Sequence, residues 1–287
     1  MKPMDLIHTH IHIGLEQPLK LLHVSDTHIS LADERDDERK RALAADRARA
    51  FEKGDVGCCL RYYKESCELA NQENAILVHT GDLFDFVSEK HCEMAPELMA
   101  MADDSFFAVG NHEFSLYVGE AFEDEKYKAI SFDKLQAAFP RYNLTFASRV
   151  VNGVNLIAMD NTYYDFSAEI LERFKEEEKK GLPMLLFFHT PLFAPDLYEK
   201  AMAAEGCAYL VGTPIELMES YSDYRFRQQV TTPQTHRFLD YFYNCQLVKA
   251  VFAGHLHAHH EGPLQNGVMQ YVVDAQYRNA ARMITID

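Results

Sequence analysis

No apolar run in this sequence of 287 residues is long enough to span a bilayer. The start, Met1-Lys2-Pro3-Met4-Asp5, lacks the apolar segment and small-residue cleavage site of a secretory leader. No membrane association is expected, and a cytoplasmic location follows as the default. Basic charge is scarce: 28 Lys and Arg against 44 Asp and Glu leave a formal charge of −16. That balance argues against sequence-independent binding of long DNA or RNA, which needs Lys and Arg to neutralise phosphates. Paired CxxC spacings are missing, so Cys58, Cys59, Cys67, Cys92, Cys207 and Cys245 are expected as free thiols. Internal repeats and low-complexity linkers are missing too. With 47% hydrophobic and 25% charged residues, the chain has the composition of an ordinary globular protein, expected as a single domain over 1–287.

Five short motifs stand in order along the chain: Asp26-Thr27-His28, Gly81-Asp82-Leu83-Phe84-Asp85, Gly110-Asn111-His112-Glu113, His189 and Gly254-His255-Leu256-His257. Each follows a short apolar run that reads as a buried strand: Leu21 to Val24, Ala75 to Val78, Phe106 to Val109, Met184 to Phe188 and Lys249 to Ala253. Converging strand ends gather Asp, Asn and His into one pocket. Oxygen and imidazole donors without thiolate suit hard or borderline divalent metals, and the donors suffice for two ions. Asp26 and His28 alternate about Thr27, as His255 and His257 do about Leu256, so each pair is expected on one side of an extended segment.

Leu6 to Ile13 alternates strictly, with His8, His10 and His12 on one face, and reads as a strand in a hairpin with Leu19 to Val24. A metal role for these early histidines, as in amidohydrolases and histidinol-phosphatase-like barrels, is the rival enzyme reading; a surface face is preferred. Asp33 to Lys53 reads as a solvated helix laced with charge pairs. Helices at about Cys58 to Glu73 and Glu89 to Ala102 alternate with strands and indicate an α/β domain. Asn152-Gly153 between Thr145 to Val151 and Val154 to Met159 signals a hairpin. Helices are expected at about Ala168 to Lys180 and Pro233 to Tyr243. Residues 190–231 are irregular and rich in Tyr, and are expected to form a cap over the pocket. Strands near Met269 to Val273 and Arg282 to Ile286 are expected to close a second sheet. His23 and His79 are expected as core or supporting histidines, His259 and His260 as loop residues, and Asp160 and Asn161 as turn residues.

The motif set resembles the calcineurin-like metallophosphoesterase superfamily, whose pattern is DxH, GDxxD, GNHE/D, H and GHxH, over about residues 19–260. The resemblance implies an α/β/β/α sandwich of two mixed sheets, with a dimetal site at the strand ends. It implies that Asp26, His28 and His257 hold a first metal, Asn111, His189 and His255 a second, and Asp82 bridges both. His112, oriented by Asp85, would contact the phosphate and protonate the leaving oxygen. Chemistry agrees with these roles. Two close metals lower the pKa of a bridging water, and the hydroxide attacks phosphorus in line. A histidine is suited to donate the leaving-group proton near neutral pH. Mn, Fe, Zn and Co all accept the donor set. One departure matters: many members place Arg after GDxxD, where this chain has Phe86. That weakens a phosphoprotein phosphatase reading, and Arg225 or Arg227 of the cap are the candidate replacements. The expected activity is a phosphodiesterase or phosphomonoesterase on a small or nucleotide-type phosphate ester. A nuclease of the same superfamily and a non-catalytic protein-binding scaffold are the alternatives. The oligomeric state is left open.

Overall fold

The computed structural model describes residues 3–118 and 125–287. Its strands are β1 (Asp5–Ile11), β2 (Leu19–Val24), β3 (Ile76–His79), β4 (Ser105–Phe107), β5 (Phe146–Val151), β6 (Val154–Met159), β7 (Met184–Phe187), β8 (Val248–Ala253), β9 (His260–Pro263), β10 (Met269–Val272) and β11 (Ala280–Ile286). The α-helices among the described residues are α1 (Glu38–Glu52), α2 (Cys58–Glu73), α3 (Glu89–Met99), α4 (Glu125–Ala138), α5 (Ala168–Glu178), α6 (Pro195–Glu205), α7 (Asp223–Gln229) and α8 (Pro233–Asn244).

The strands form two mixed sheets, ordered β1-β11-β2-β3-β4 and β5-β6-β7-β8-β10-β9. One apolar layer lies between them. Leu21, Val78, Phe106 and Ile284 of the first sheet meet Leu156, Phe187, Phe252 and Tyr271 of the second. Phe106 packs edge-on to Phe187 across this layer at 5.9 Å, and Phe187 stacks on Phe252 at 5.0 Å. The other faces are covered by helices: Leu22, Leu77 and Phe107 pack with Tyr63 of α2, Leu98 of α3 and Leu135 of α4. On the far side, Leu186, Val251 and Val272 pack with Phe174 of α5, Leu197 of α6 and Phe238 of α8. This is the expected α/β/β/α sandwich.

Local chemistry explains the elements. β7 is buried along its whole length, as a central parallel strand must be, so it reads as a continuous apolar run. α8 starts at Thr232, whose hydroxyl accepts the Thr235 N–H, with Pro233 in its first turn. Its buried Thr235, Phe238, Leu239 and Phe242 recur at helical spacing. The β5–β6 hairpin turns at Asn152 (φ 49°) and Gly153 (φ 82°), with Val151 opposite Val154, as the sequence predicts.

Three expectations change. β1 does not pair with β2. It pairs in parallel with β11, which inserts between them and runs antiparallel to β2. For the same reason β11 belongs to the first sheet, and only β10 joins the second. The irregular stretch 190–231 is more ordered than its Pro and Gly content implies, since it carries α6 and α7. All six cysteines are free.

Candidate metal centre

β2, β3, β4, β7 and β8 deliver the five motifs to one rim where the two sheets meet. The loops after β2 and β3 run side by side: Asp26 N–H donates to the Gly81 carbonyl at 2.9 Å, His28 N–H to Asp82 at 2.9 Å and Ile29 N–H to Leu83 at 3.0 Å. Within the second sheet Gly254 N–H donates to the His189 carbonyl at 3.0 Å, and that sheet is tied to the first by His255 N–H to Asp26 Oδ2 at 2.9 Å. Gly81, at φ 97°, lets the loops after β3 and β4 close on each other, because a Cβ there would meet the Gly110 nitrogen at 2.4 Å.

Asp26, His28 and His257 form one donor group and Asp82, His189 and His255 another, with the donor atoms of each group within 4.8 Å of one another. Asp82 Oδ2 links them: it is 3.1 Å from His189 Nε2 and 3.8 Å from His28 Nε2. His257 Nε2 is 3.1 Å from His28 Nε2 and 3.2 Å from Asp26 Oδ1. His255 Nδ1 is 3.1 Å from His189 Nε2. Asn111 Oδ1 is buried without a hydrogen-bond partner, which costs free energy unless a cation sits there, and the buried Asp26 Oδ1 faces the His257 ring. The residues present therefore fit a pair of metal ions.

Each imidazole is aimed by its other nitrogen. His28 Nδ1 meets Asp85 Oδ1 at 2.8 Å and His189 Nδ1 meets the Thr80 carbonyl at 2.8 Å. His255 Nε2 meets the Tyr164 hydroxyl at 3.1 Å and His257 Nδ1 that of Tyr277 at 3.3 Å. Burial drives His255 down to about 3 and lowers His28, so both rings are neutral and keep a lone pair for a metal. Burial also pulls His189 down, but the Asp82 carboxylate outweighs it and lifts that ring to about 9. Burial opposes the charges of Asp26 and Asp82, yet the imidazoles beside them hold both carboxyls well below the usual range.

The ligand candidates do not lie on an extended segment. Asp26 (φ 57°), His28 (φ 52°), Asp82 (φ 58°), His255 (φ 69°) and His257 (φ 48°) are all left-handed. Each such residue costs about 1 kcal/mol or more, and strain of this kind concentrates at functional sites. Asp26 and His28 reach the same donor group from left-handed backbone and not from an alternating strand, whereas His255 and His257 part, one to each group.

His112 sits at the edge of this cluster. Its Nδ1 is 2.8 Å from the Asp85 carbonyl and 3.0 Å from Asp85 Oδ1. Asp85 is buried and serves His28 as well as His112. Its counter-charge is Arg47 of α1, whose Nε lies 2.5 Å from Oδ2 and whose Nη2 lies 3.0 Å from Oδ1. Phe51, one turn further, stacks on the His28 ring at 4.4 Å. Sequence reasoning missed both, because α1 reads as a solvated helix; the Arg47/Phe51 spacing was the only signal. Glu113 was also under-read. Its carboxylate accepts N–H groups from Asp82 (2.8 Å), Phe84 (3.0 Å) and Gly110 (2.7 Å), which welds two motif loops. Burial, then the Asp82 charge, pushes its carboxyl up to about 7.

Other tempting residues are structural. His79 accepts the Gly81 N–H at 3.1 Å and meets Thr27 Oγ1 at 2.9 Å. His23 meets Thr80 Oγ1 at 2.9 Å in the layer between the sheets. Asp160 caps a turn through Thr162, and Asn161 exchanges hydrogen bonds with Thr190. His259 accepts the Asp274 N–H and His260 lies 3.4 Å from Asp196, so neither enters the cluster. Phe86 is fully buried against His91, so no guanidinium occupies that position.

Two sheets with a His/Asp cluster at their common rim define a metal-dependent hydrolase of phosphoric esters. The chain belongs to the calcineurin-like phosphoesterase family, whose model matches residues 19–259. That family is dimetal-dependent, and the two donor groups are able to hold metals. Similar solved structures include a dimetal phosphatase from Danio rerio (12% identity, TM-score 0.48, 91% of this chain and 88% of that one). They also include a phosphopantetheinyl hydrolase from Mycobacterium tuberculosis (12%, TM-score 0.43, 90% and 90%) and a 5'-nucleotidase from Candida albicans (12%, TM-score 0.45, 96% and 47%). The chain spans about half the length of that nucleotidase. No curated protein matches the chain. No helix among the described residues is long and apolar enough to cross a membrane.

Proposed function

We propose that Asp26, His28 and His257 hold one divalent ion, that Asn111, His189 and His255 hold a second, and that Asp82 bridges them. One observation carries the reading: Asp82 Oδ2 lies between the two donor groups, 3.1 Å from His189 Nε2 of one and 3.8 Å from His28 Nε2 of the other. Mn, Fe, Zn and Co all suit these donors. Bound there, the pair supplies positive charge at the phosphoryl oxygens and a water acidified toward neutrality. The chain's own residues do the rest. Asp85 engages His112 Nδ1, which leaves Nε2 to face the leaving oxygen and donate its proton. Arg47 fixes Asp85 in turn. His112→Ala is expected to keep both metals and to lower kcat about 10²–10⁴-fold for alkyl leaving groups. The loss with p-nitrophenyl esters, whose leaving group needs little protonation, should be much smaller. Equal losses on both, measured as kcat across a leaving-group series, would rule out the general-acid role.

Substrate size is supported by two cavities that meet at His255, with Tyr209 between them. One, of about 300 Å³, is bordered by Arg47, His112, Tyr164 and Arg225. The other, of about 440 Å³, is bordered by Lys200, His257 and Arg278. A small phosphodiester has one ester group for each, so we favour a small or nucleotide-type diester, with monoesters as poorer substrates. Residues 190–231 act as the cap: they contribute Tyr209 and Arg225, whose guanidinium lies over the Tyr209 ring at 4.9 Å. Arg225 takes the role that Phe86 cannot. Arg225→Ala should raise KM about tenfold or more, the worth of a charge-assisted hydrogen bond, with a smaller change in kcat. An unchanged KM would remove Arg225 from the substrate site.

The direct test is hydrolysis of bis-p-nitrophenyl phosphate beside p-nitrophenyl phosphate, after chelation and with Mn²⁺ restored. Mn²⁺-dependent turnover with the diester faster supports the reading. A faster monoester reverses the preference. No turnover of any phosphate ester with two metals bound would leave a non-catalytic scaffold.

A further inference from the structure

A second group of metal donors lies far from the phosphoesterase centre. His10 lies near the end of β1 and His12 just past it, with ring centroids 4.2 Å apart. Both converge on one carboxylate: His10 Nε2 is 2.9 Å from Asp287 Oδ2 and His12 Nδ1 is 2.6 Å from Asp287 Oδ1. One donor atom from each of the three residues lies within 4.8 Å of the others. The backbone beneath them is fixed. Asp287 N–H donates to the Ile11 carbonyl at 3.1 Å, and the Asp287 carbonyl accepts Ile13 N–H (2.6 Å) and Gly14 N–H (2.8 Å).

We propose that His10, His12 and Asp287 form a separate site for a borderline divalent cation, Zn²⁺ first, which staples the edge strand β1 to β11. Four-coordinate Zn²⁺ with bonds of about 2.0–2.2 Å sets its ligand atoms roughly 3.3–3.5 Å apart. The cluster needs only small side-chain rotations to reach that spacing. Three protein donors leave one position for water, and the exposure of the imidazoles, 50% for His10 and 74% for His12, gives the ion an open path. Two imidazoles and one carboxylate favour Zn²⁺, Co²⁺, Ni²⁺ or Cu²⁺ over Mg²⁺ or Mn²⁺. The location is independent of the catalytic rim. β11 runs antiparallel to β2, with Ile286 opposite Leu19, so Asp287 lies beyond the start of β2 whereas Asp26 lies beyond its end. The six residues of β2 put about 20 Å between them. β1 is an edge strand that pairs, among the described strands, with β11 alone, so a metal shared between His10 at its end and Asp287 just past β11 fastens that edge of the sheet.

The test is Zn²⁺ stoichiometry by equilibrium dialysis and elemental analysis on the full chain, beside its melting temperature with and without Zn²⁺. Wild-type protein should hold one equivalent more than His12→Ala, and Zn²⁺ should raise the melting temperature of wild type more than that of the variant. Phosphoesterase activity should be the same in both, which also reports that the variant folds. Asp82→Asn separates the two centres: it should lose inner-site metal and keep the outer equivalent. Equal Zn²⁺ content in wild type, His12→Ala and the double variant His10→Ala/His12→Ala would overturn the proposal, whatever the catalytic centre does.

Discussion

Asp82→Asn is expected to lower metal-dependent turnover about 10³-fold or more and to deplete metal at both inner positions. Asp82 Oδ2 lies 3.1 Å from His189 of one donor group and 3.8 Å from His28 of the other. An amide keeps the shape but loses the negative charge between two cations, a loss of several kcal/mol, and each ~1.4 kcal/mol is a factor of ten in rate. The other oxygen, Oδ1, accepts the His112 N–H at 2.9 Å, so a flipped amide would also present an NH₂ group to that donor and disturb the acid. Measured kcat together with metal content decides the point. Near-normal activity with two metals retained would defeat the bridging role; loss of one metal alone would reassign Asp82 to a single ion.

The second large effect comes from a residue with no side chain. At Gly254 a Cβ would lie 1.9 Å from Ser25 Oγ and 2.5 Å from Asp26 Oδ2. Those atoms belong to the loop after β2 and cannot retreat freely, since Asp26 Oδ2 is held by His255 N–H and Ser25 by the Gly81 carbonyl. Gly254→Ala should therefore prise the two sheets apart at their shared rim. Overpacking of this kind costs about 1–3 kcal/mol of stability. A shift of about 1 Å in the donor set is enough to cost about 10² in kcat. The expected variant folds, melts somewhat lower, and turns over about 10²-fold more slowly with weaker metal retention. Wild-type kcat with wild-type metal content would show that the loop gives way without consequence.

Most of the centre was legible because its residues follow apolar runs that can only be buried strands. Asp26, Asp82, Asn111, His189 and His255 each stand one to four residues beyond such a run, and strands of one rim bring them together. The mechanism of convergence was not legible. Alternation along an extended segment puts Asp26 with His28, as in the fold, but also His255 with His257, which part to different donor groups; left-handed φ values at non-glycine positions leave no mark in the residue types. Arg47 and Phe51 were missed because α1 is polar on almost every side, with only Ala44 buried, so no apolar stripe marks the face that leans on His28. The β1–β2 hairpin was the natural reading of two adjacent strands joined by a short Gly-containing turn. The actual partner, β11, lies at the far end of the sequence, where periodicity carries no information about pairing.

The seam between the sheets has a kinetic consequence. Asp26 and His255, which share a hydrogen bond, and His28 and His257, which touch, are each 229 residues apart in the chain. Bringing such distant segments together is slow and comes after local structure has formed. The donor cluster is therefore assembled late, once both sheets exist, and a nascent chain cannot complete it until its last strands have emerged. Ions added during refolding should leave the early collapse unchanged and act on the final docking step, slowing the reverse reaction, so the metal serves as a latch on the finished fold and not as its seed.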